Sequence, residues 1–441
     1  MIVPRNRLLF WVGVGVVPFA TAATLVPSLL MPVGAVLALF ALLVTLDATL
    51  GFGSLDGIGV EPPEVVRLTK DREGLIEFLI SNTTQKPMVL RLGLAFPQEI
   101  QSPQTDLLTQ LPAGSAGARV TWPCTGTRRG AYRLERCYVE GASPMGFWSV
   151  RAATPMESEL RVYPNLLPER KNLAALFLHR GNLGSHAQRQ VGQGRDFEKL
   201  RDYIHGDPLT EIHWKATAKR NRPVTKIFQI EKTQEVYVII DSSRLSARSS
   251  RPGESVLERF VTAALVVGLA AEQQGDLFGV LSFGDKVQTF VRAKNGREHF
   301  TACRDALYGL LPQTVTPDFD NLCTFIRLRL RRRALLLVLT SLDDPMLAES
   351  FTRHVNLISR QHLVLVNMLQ PAGAAPLFAG EPVESVDGLY QRLGGHIRWH
   401  DLRELERVLQ RRNVKFSQLQ DERLSVDLVG QYLNVKRRQI L

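Results

Sequence analysis

The sequence predicts three kinds of structure in succession: an N-terminal hairpin of two transmembrane helices, a small β-sandwich, and a Rossmann-type α/β domain with a largely parallel sheet. Three observations carry this expectation. Residues Leu8 to Leu46 contain no charged side chain. Residues 60–164 alternate short β-like runs with Pro, Gly and Asn turns, and from residue 232 apolar strand runs alternate with amphipathic helices.

The charge-free run is about twice the ~20 residues that one helix needs to cross hydrocarbon. Pro27-Ser28 and Pro32 break it, which divides residues 1–52 into spans of 8–26 and 29–50. A cleaved signal peptide has a far shorter apolar core. Arg5 and Arg7 precede the first span and the link between spans carries no cation, so the positive-inside rule keeps the N-terminus in the cytoplasm. The hairpin then returns the body to the same side, as in a multi-pass protein of the inner (cytoplasmic) membrane. Asp47 is expected at the water interface.

At 441 residues the chain exceeds a single core, and its apolar share of 45% with 22% charged residues is that of folded protein. The net charge of +11 is compatible with nucleic acid or with a membrane's cytoplasmic face. Cys124, Cys137, Cys303 and Cys323 show no CxxC pairing and no finger-like His spacing, which argues against a zinc module. Reduced thiols suit a cytoplasmic body, with Cys124–Cys137 pairing as the alternative in an oxidising compartment.

In the body, VVRLT, LIEFLI, MVLRLGLAF, ARVTW and YRLERCYVE read as sandwich strands, and residues 165–191 read as a linker with one short apolar helix, LAALFLH. Residues 192–231 are dense in charge. The α/β domain, 232–420, starts with EVYVIID, a helix from Ser255 to Gln274, DLFGVLSF, and a helix through Cys303 to Leu311. ALLLVLTS, a helix over Met346 to Gln361, and HLVLVNML follow. A helix around Val383 to Leu393, a strand HIRWH and a helix from Asp401 to Arg412 complete it, and residues 421–441 form a C-terminal helix and tail. In such sheets ligands meet the carboxyl ends of the strands, and Asp241 is the first residue so placed.

Asp241-Ser242-Ser243 offers hard oxygen donors suited to Mg2+ or a similar ion. Here the chain resembles the von Willebrand factor A domain, whose metal-dependent adhesion site begins Asp-x-Ser-x-Ser after the first strand. Asp241 and Ser243 match it, but Leu245 stands at the second serine position and Ser246 falls one place late. The Asp expected after ALLLVLTS is replaced by Ser341-Leu342, with Asp343 and Asp344 displaced, and TPDFDNL offers Thr316, Asp318 and Asp320 without a clear match. A sheet-edge Asp capping its own turn is the competing reading.

Upstream, Gly194-Arg195-Asp196-Phe197, Leu200-Arg201-Asp202-Tyr203, Gly206-Asp207, Ile212-His213-Trp214-Lys215 and Thr217-Ala218 closely resemble the signature of the bacterial family called domain of unknown function 58. The resemblance extends over the membrane hairpin, β domain, signature and α/β domain in the same order. It implies association with a MoxR-type AAA+ ATPase. It also implies a partner-binding role for Arg195, Asp196, Phe197, Arg201, Tyr203, Asp207, Trp214 and Lys215.

Read from the residues alone, Asp207-Pro208 looks like an N-cap and first turn of a helix from Pro208 to Lys219. The segment then serves either as a bracket burying Phe197, Tyr203 and Trp214, or as a partner surface. His205, Asp207 and His213 make a weak acid/base set, and no Gly-x-Ser-x-Gly, phosphate loop or HExxH occurs. IRLRLRRR, residues 326–333, lacks interleaved aromatics and reads as a helix terminus before a buried strand, so nucleic acid is not expected. The expectation is therefore a membrane-anchored adaptor with no enzymatic activity, working with a MoxR-type ATPase. The alternative is a metal-dependent adhesion protein that binds a partner carboxylate through a cation at Asp241 and Ser243.

Overall fold

The computed structural model describes residues 1–84, 87–112, 114, 117–171, 191–205, 207, 209–229, 234–251, 253–379 and 385–438, with only the backbone of 191–199 and 227–229. LAALFLH lies outside the described residues. The chain divides into two compact units, Met1–Asn165 and Leu166–Leu441.

The first unit opens with strand β1 (Ile2–Pro4) and two apolar helical stretches, Asn6–Leu25 and Pro27–Gly51. Both are long and apolar enough to cross a membrane, by length and composition. The first passes through a π-helical turn, Val12–Val16, just before Pro18, whose missing N–H disrupts regular helical bonding. The break between the stretches falls at Val26, followed by a tight turn over Pro27–Leu29.

Nine further strands form the sandwich: β2 (Ile58–Glu61), β3 (Val65–Thr69), β4 (Glu73–Asn82), β5 (Met88–Leu94), β6 (Ile100–Gln101), β7 (Leu107–Leu111), β8 (Gly117–Gly126), β9 (Gly130–Ala142) and β10 (Trp148–Tyr163). One sheet runs β1-β10-β9-β5-β7, with β3 also on β10, and the other runs β2-β4-β8-β6. In β4 the alternation turns Ile76, Phe78 and Ile80 inward and leaves Leu75 and Leu79 exposed. Trp122 fills the interior, its indole N–H donating to Ser102 Oγ at 2.9 Å. All four cysteines of the chain are buried and unpaired. Burial pushes the thiols of Cys124 and Cys137 up to about 11.

Both ends of the helical pair are tied into this sandwich. β1 lies antiparallel to β10, with Ile2 opposite Val150. At the other end Asp47 is fully buried. Its carboxylate accepts from Ser143 Oγ (2.6 Å), Met145 N (2.8 Å) and Phe147 N (3.1 Å) in the β9–β10 turn. Trp148 Nε1 adds a bond to Val44 O at 2.9 Å. The cost of burying a carboxylate is met by aiming N–H and O–H donors at it.

In the second unit, β11 (Val191–Asp202) pairs antiparallel with β12 (Val224–Gln229). The main sheet contains β13 (Glu235–Asp241), which is followed by a small ladder of β14 (Ser249–Arg251) and β15 (Glu254–Ser255). It continues with β16 (Leu277–Phe283), β17 (Val287–Lys294), β18 (Leu335–Leu339), β19 (Leu363–Leu369) and β20 (Val414–Leu419). Its order is β17-β16-β13-β18-β19-β20, that of a doubly wound sheet. The sheet is mixed: β17 runs antiparallel to β16, while the other neighbours are parallel.

Every side chain from Val236 to Ile240 is buried, because both faces of β13 are covered. Val236, Val238 and Ile240 pack with helices Val256–Gln273 and Leu424–Arg438. Tyr237 and Ile239 pack with helices Phe319–Arg329, Pro345–His354 and the second half of Val386–Arg411. Ser255 caps the first of these helices by accepting from Glu258 N at 3.3 Å, in a Ser-x-x-Glu pattern.

Two sequence expectations are corrected here. HIRWH is helical, and one helix, Val386–Arg411, replaces the two helices and strand expected over 383–412. Its glycines do not end it, because Gly395 is needed for close approach: a Cβ there would lie 2.0 Å from Gly373 O. The sixth strand is instead Val414–Leu419. IRLRLRRR does end a helix, Phe319–Arg329, ahead of β18.

Candidate functional site

Asp241 ends the central strand with 1% of its surface exposed. Its Oδ1 accepts from Ser243 N at 2.8 Å and its Oδ2 from Thr340 Oγ1 at 2.6 Å. Burial pushes this carboxyl above its ordinary value, against the opposing pull of the bonds from Thr340 and Ser243. Ser242 Oγ turns away, donating to Phe283 O at 2.8 Å, and Ser243 Oγ accepts from Leu245 N at 3.4 Å at the start of a short 3-10 turn. Thr340 is the residue that sequence reasoning missed; its only sequence cue is a hydroxyl at the polar end of an otherwise apolar strand run.

The displaced acids have separate tasks. Asp343 pairs with Arg248 at 2.6 Å, Asp344 caps helix Pro345–His354 through Met346 N, and Asp318 caps helix Phe319–Arg329 through Asp320 N and Asn321 N. The donor set fits a divalent cation poorly, since such an ion needs about six oxygens. Asp241 has both oxygens bonded within the protein, Leu245 stands where a second hydroxyl is required, and Asp343 already faces a guanidinium. Among the described residues no three His, Cys, Asp or Glu side chains group as metal ligands.

In the signature segment, Asp207 is not a helix cap. Its Oδ1 accepts from Arg201 Nη2 at 2.8 Å and its Oδ2 from Ile204 N at 3.1 Å, so it closes the turn after β11. The helix begins later, at Trp214–Arg220, and His213 caps it: Nδ1 accepts from Ala216 N at 3.0 Å. Asn221, in the left-handed region at φ 49°, ends it. This helix end is sewn to β12, with His213 N bonded to Val224 O and Val224 N to Thr217 Oγ1. Tyr203 N donates to Pro223 O at 2.9 Å.

Trp214, which the bracket reading would have buried, is 69% exposed, and Lys215 beside it is exposed. Ile204 and Leu209 are exposed as well. The structure thus brings Arg201 and Asp207 together and presents Trp214 and Lys215 to solvent. The backbones of Asp196 and Phe197 sit opposite Gln229 and Phe228, while the side chains of Arg195, Asp196 and Phe197 lie outside the described residues. His205 is exposed, and with Asp207 held by Arg201 and His213 serving as a cap, the three do not converge as an acid/base set.

Fold and site together define a doubly wound α/β protein whose switch-point carboxylate is internally bonded and whose signature segment displays an aromatic residue. Residues 199–380 match the family described as protein of unknown function DUF58. No curated protein matches the chain. Among solved structures it is similar to proximal thread matrix protein 1 from the mussel byssus, at 12% identity and TM-score 0.27 over 45% of this chain and 46% of that one. It is also similar to WR4, a C. elegans MSP family member (8% identity, TM-score 0.17, covering 24% of this chain and 97% of that one). Murine CRIg matches over the same shares at 15% identity and TM-score 0.14. The matched region spans less than half of the byssus protein.

Proposed function

We propose that this protein is a membrane-anchored, non-catalytic binding protein whose signature segment docks on a MoxR-type AAA+ ATPase. The carrying observation is Trp214, 69% exposed on a short helix held by caps and backbone bonds. A rigid exposed tryptophan beside a cation is the kind of residue that dominates protein interfaces, and no packing requirement keeps it there. The Arg201–Asp207 pair braces the preceding turn. The ATPase as occupant follows from the family resemblance. The doubly wound order with Asp241 ending its first strand supports the von Willebrand factor A-like reading of the domain.

Membrane anchoring is supported by two apolar helices whose side chains are exposed along most of their length. With both ends tied to the sandwich, the pair acts as a hairpin, and Arg5 and Arg7 favour a cytoplasmic body. Co-purification from detergent-solubilised membranes tests the reading: wild type recovers the ATPase, and Trp214→Ala loses it while unfolding at the wild-type temperature. Equal recovery by both proteins would remove the signature segment from the interface. Mg2+-dependent adhesion through Asp241 and Ser243 has less support, given the bonds both residues already make. Calorimetry with Mg2+ on wild type and Asp241→Ala separates the two, because a saturable heat lost in the variant would reinstate that reading.

A further inference from the structure

Helix Val386–Arg411 has two halves with different surroundings. Leu402, Leu405 and Leu409 are buried in the core of the α/β unit. In the first half Val386, Leu389, Tyr390, Leu393 and Ile397 are all exposed, Tyr390 at 69% and Ile397 at 60%. At 100° per residue these five fall on one side of the helix, and the 4-3-4 spacing of 386, 390, 393 and 397 is that of a two-helix seam. The rest of the circumference is anchored: Gly395 packs on Gly373 O opposite the stripe, and on one flank His396 accepts at Nδ1 from Leu377 N at 3.2 Å and stacks on Trp399. Ser385 caps the start through Gly388 N at 3.0 Å. The stripe is therefore held facing outward.

We propose that this stripe is a homotypic interface, closed by the same stripe of a second copy of this chain running antiparallel across a two-fold axis. Two observations select that occupant. First, the antiparallel register that sets Val386 of one copy against Ile397 of the other also sets Tyr390 against Leu393, so every large residue of the seam meets another. Second, Asp387 and Arg398 lie on the same flank near opposite ends, so a two-fold axis brings them together twice, as an isologous contact requires. A lipid surface is a poorer match, because interfacial helices carry a strongly basic polar face. Here Asp387, Arg392, Arg398 and Asp401 balance in sign. This inference is independent of the proposed ATPase contact.

The test is cross-linking of the full-length chain in its own membranes. The four native cysteines are buried, so mild oxidation reads engineered pairs. Val386→Cys/Ile397→Cys is expected to give a disulfide-linked dimer as the main species, and each single variant to stay free of the cross-link. Like residues would sit about 16 Å apart at 1.5 Å rise per residue, beyond disulfide reach. In detergent, wild type is expected at twice the protein mass of Leu393→Asp. Absence of the cross-link in the double variant, equal cross-linking in the singles, or a monomeric wild type would each overturn the proposal. So would a monomer whose Ile397→Trp fluorescence shifts to the blue only on adding liposomes, which would assign the stripe to lipid.

Discussion

Tyr237 on β13 reaches past the neighbouring strand to accept a hydrogen bond from Ala293 N on β17, at 3.1 Å. Its ring crosses β16 at Gly279, where an added Cβ would lie 2.5 Å from Tyr237 Cε1 and 2.7 Å from Val291 O. The ladder shifts register at this point, between Phe278 and Val280. One phenol thus ties three strands together and satisfies the amide left over by the irregularity.

Gly279→Ala should destabilise the protein by about 1–3 kcal/mol, the usual cost of overpacking. Tyr237→Phe should cost about 1–2 kcal/mol through the orphaned Ala293 amide. Thermal unfolding reads both. If Gly279→Ala unfolds at the wild-type temperature, the ring does not cross the strand there.

Asp241 gives a pH signature. Burial raises its carboxyl above the ordinary 3.8, so the folded state holds a proton that the unfolded chain has released. Its contribution to stability is complete below 3.8 and declines as pH rises through the elevated folded value. Asp241→Asn keeps an acceptor for Ser243 N and cannot ionise, so the melting temperature of the variant relative to wild type should rise across that window and then level off. A constant difference at every pH from 3 to 8 would contradict the buried carboxyl, bonded through both oxygens, described above.

Asp47 holds the β9–β10 turn through three donors. Asp47→Ala should cost roughly 3 kcal/mol or more, since hydrogen bonds to a charged group are worth about 1.5–3 kcal/mol each before compensation by water. Hydrogen exchange at Met145 and Phe147 should accelerate, and Asp47→Asn should restore part of the protection. Unchanged exchange at both amides in Asp47→Ala would mean that the turn is held by other contacts.

Asp276, buried at the start of β16, accepts from the Tyr432 hydroxyl, from Lys436 Nζ at 2.8 Å and from Gln234 N at 3.1 Å. The Tyr432 phenol is pushed up by burial and by the adjacent carboxylate. Because the lysine can swing toward solvent, Asp276→Ala should cost about 1–3 kcal/mol. The loss should show first as protease sensitivity near Leu424–Arg438. Cleavage no faster than in wild type would show that this helix is retained by its apolar face alone.

The legible parts of the fold were those where one physical effect dominates. EVYVIID, DLFGVLSF, ALLLVLTS and HLVLVNML are apolar on both faces because helices cover both sides of their strands, and a continuous apolar run survives any error in register. VQTFVRAK was overlooked because β17 is an edge strand, half-buried and carrying Arg292 and Lys294. HIRWH misled because five alternating residues are too few to separate strand from helix, and the deciding contact, Gly395 on Gly373 O, is tertiary.

At the site, Asp241 could be located from its position at a strand end. Thr340 could not be assigned as its partner, because pairing of β13 with β18 is long-range. Asp207-Pro208 matched a helix start, yet the carboxylate found Arg201 six residues earlier, a charge-assisted bond stronger than a cap. For Trp214 the sequence left a buried bracket and a partner surface both open, since large aromatics usually contribute their area to a core; its exposure is visible only once the helix is placed.

The two attachments of the helical pair, Ile2–Pro4 along β10 and Asp47 in the β9–β10 turn, leave no slack chain at either junction. A rocking movement of the pair would have to unzip a strand or strip three donors from a buried charge. The junction therefore behaves as a two-point mount that fixes the sandwich's heading, where a single flexible tether would let it swivel.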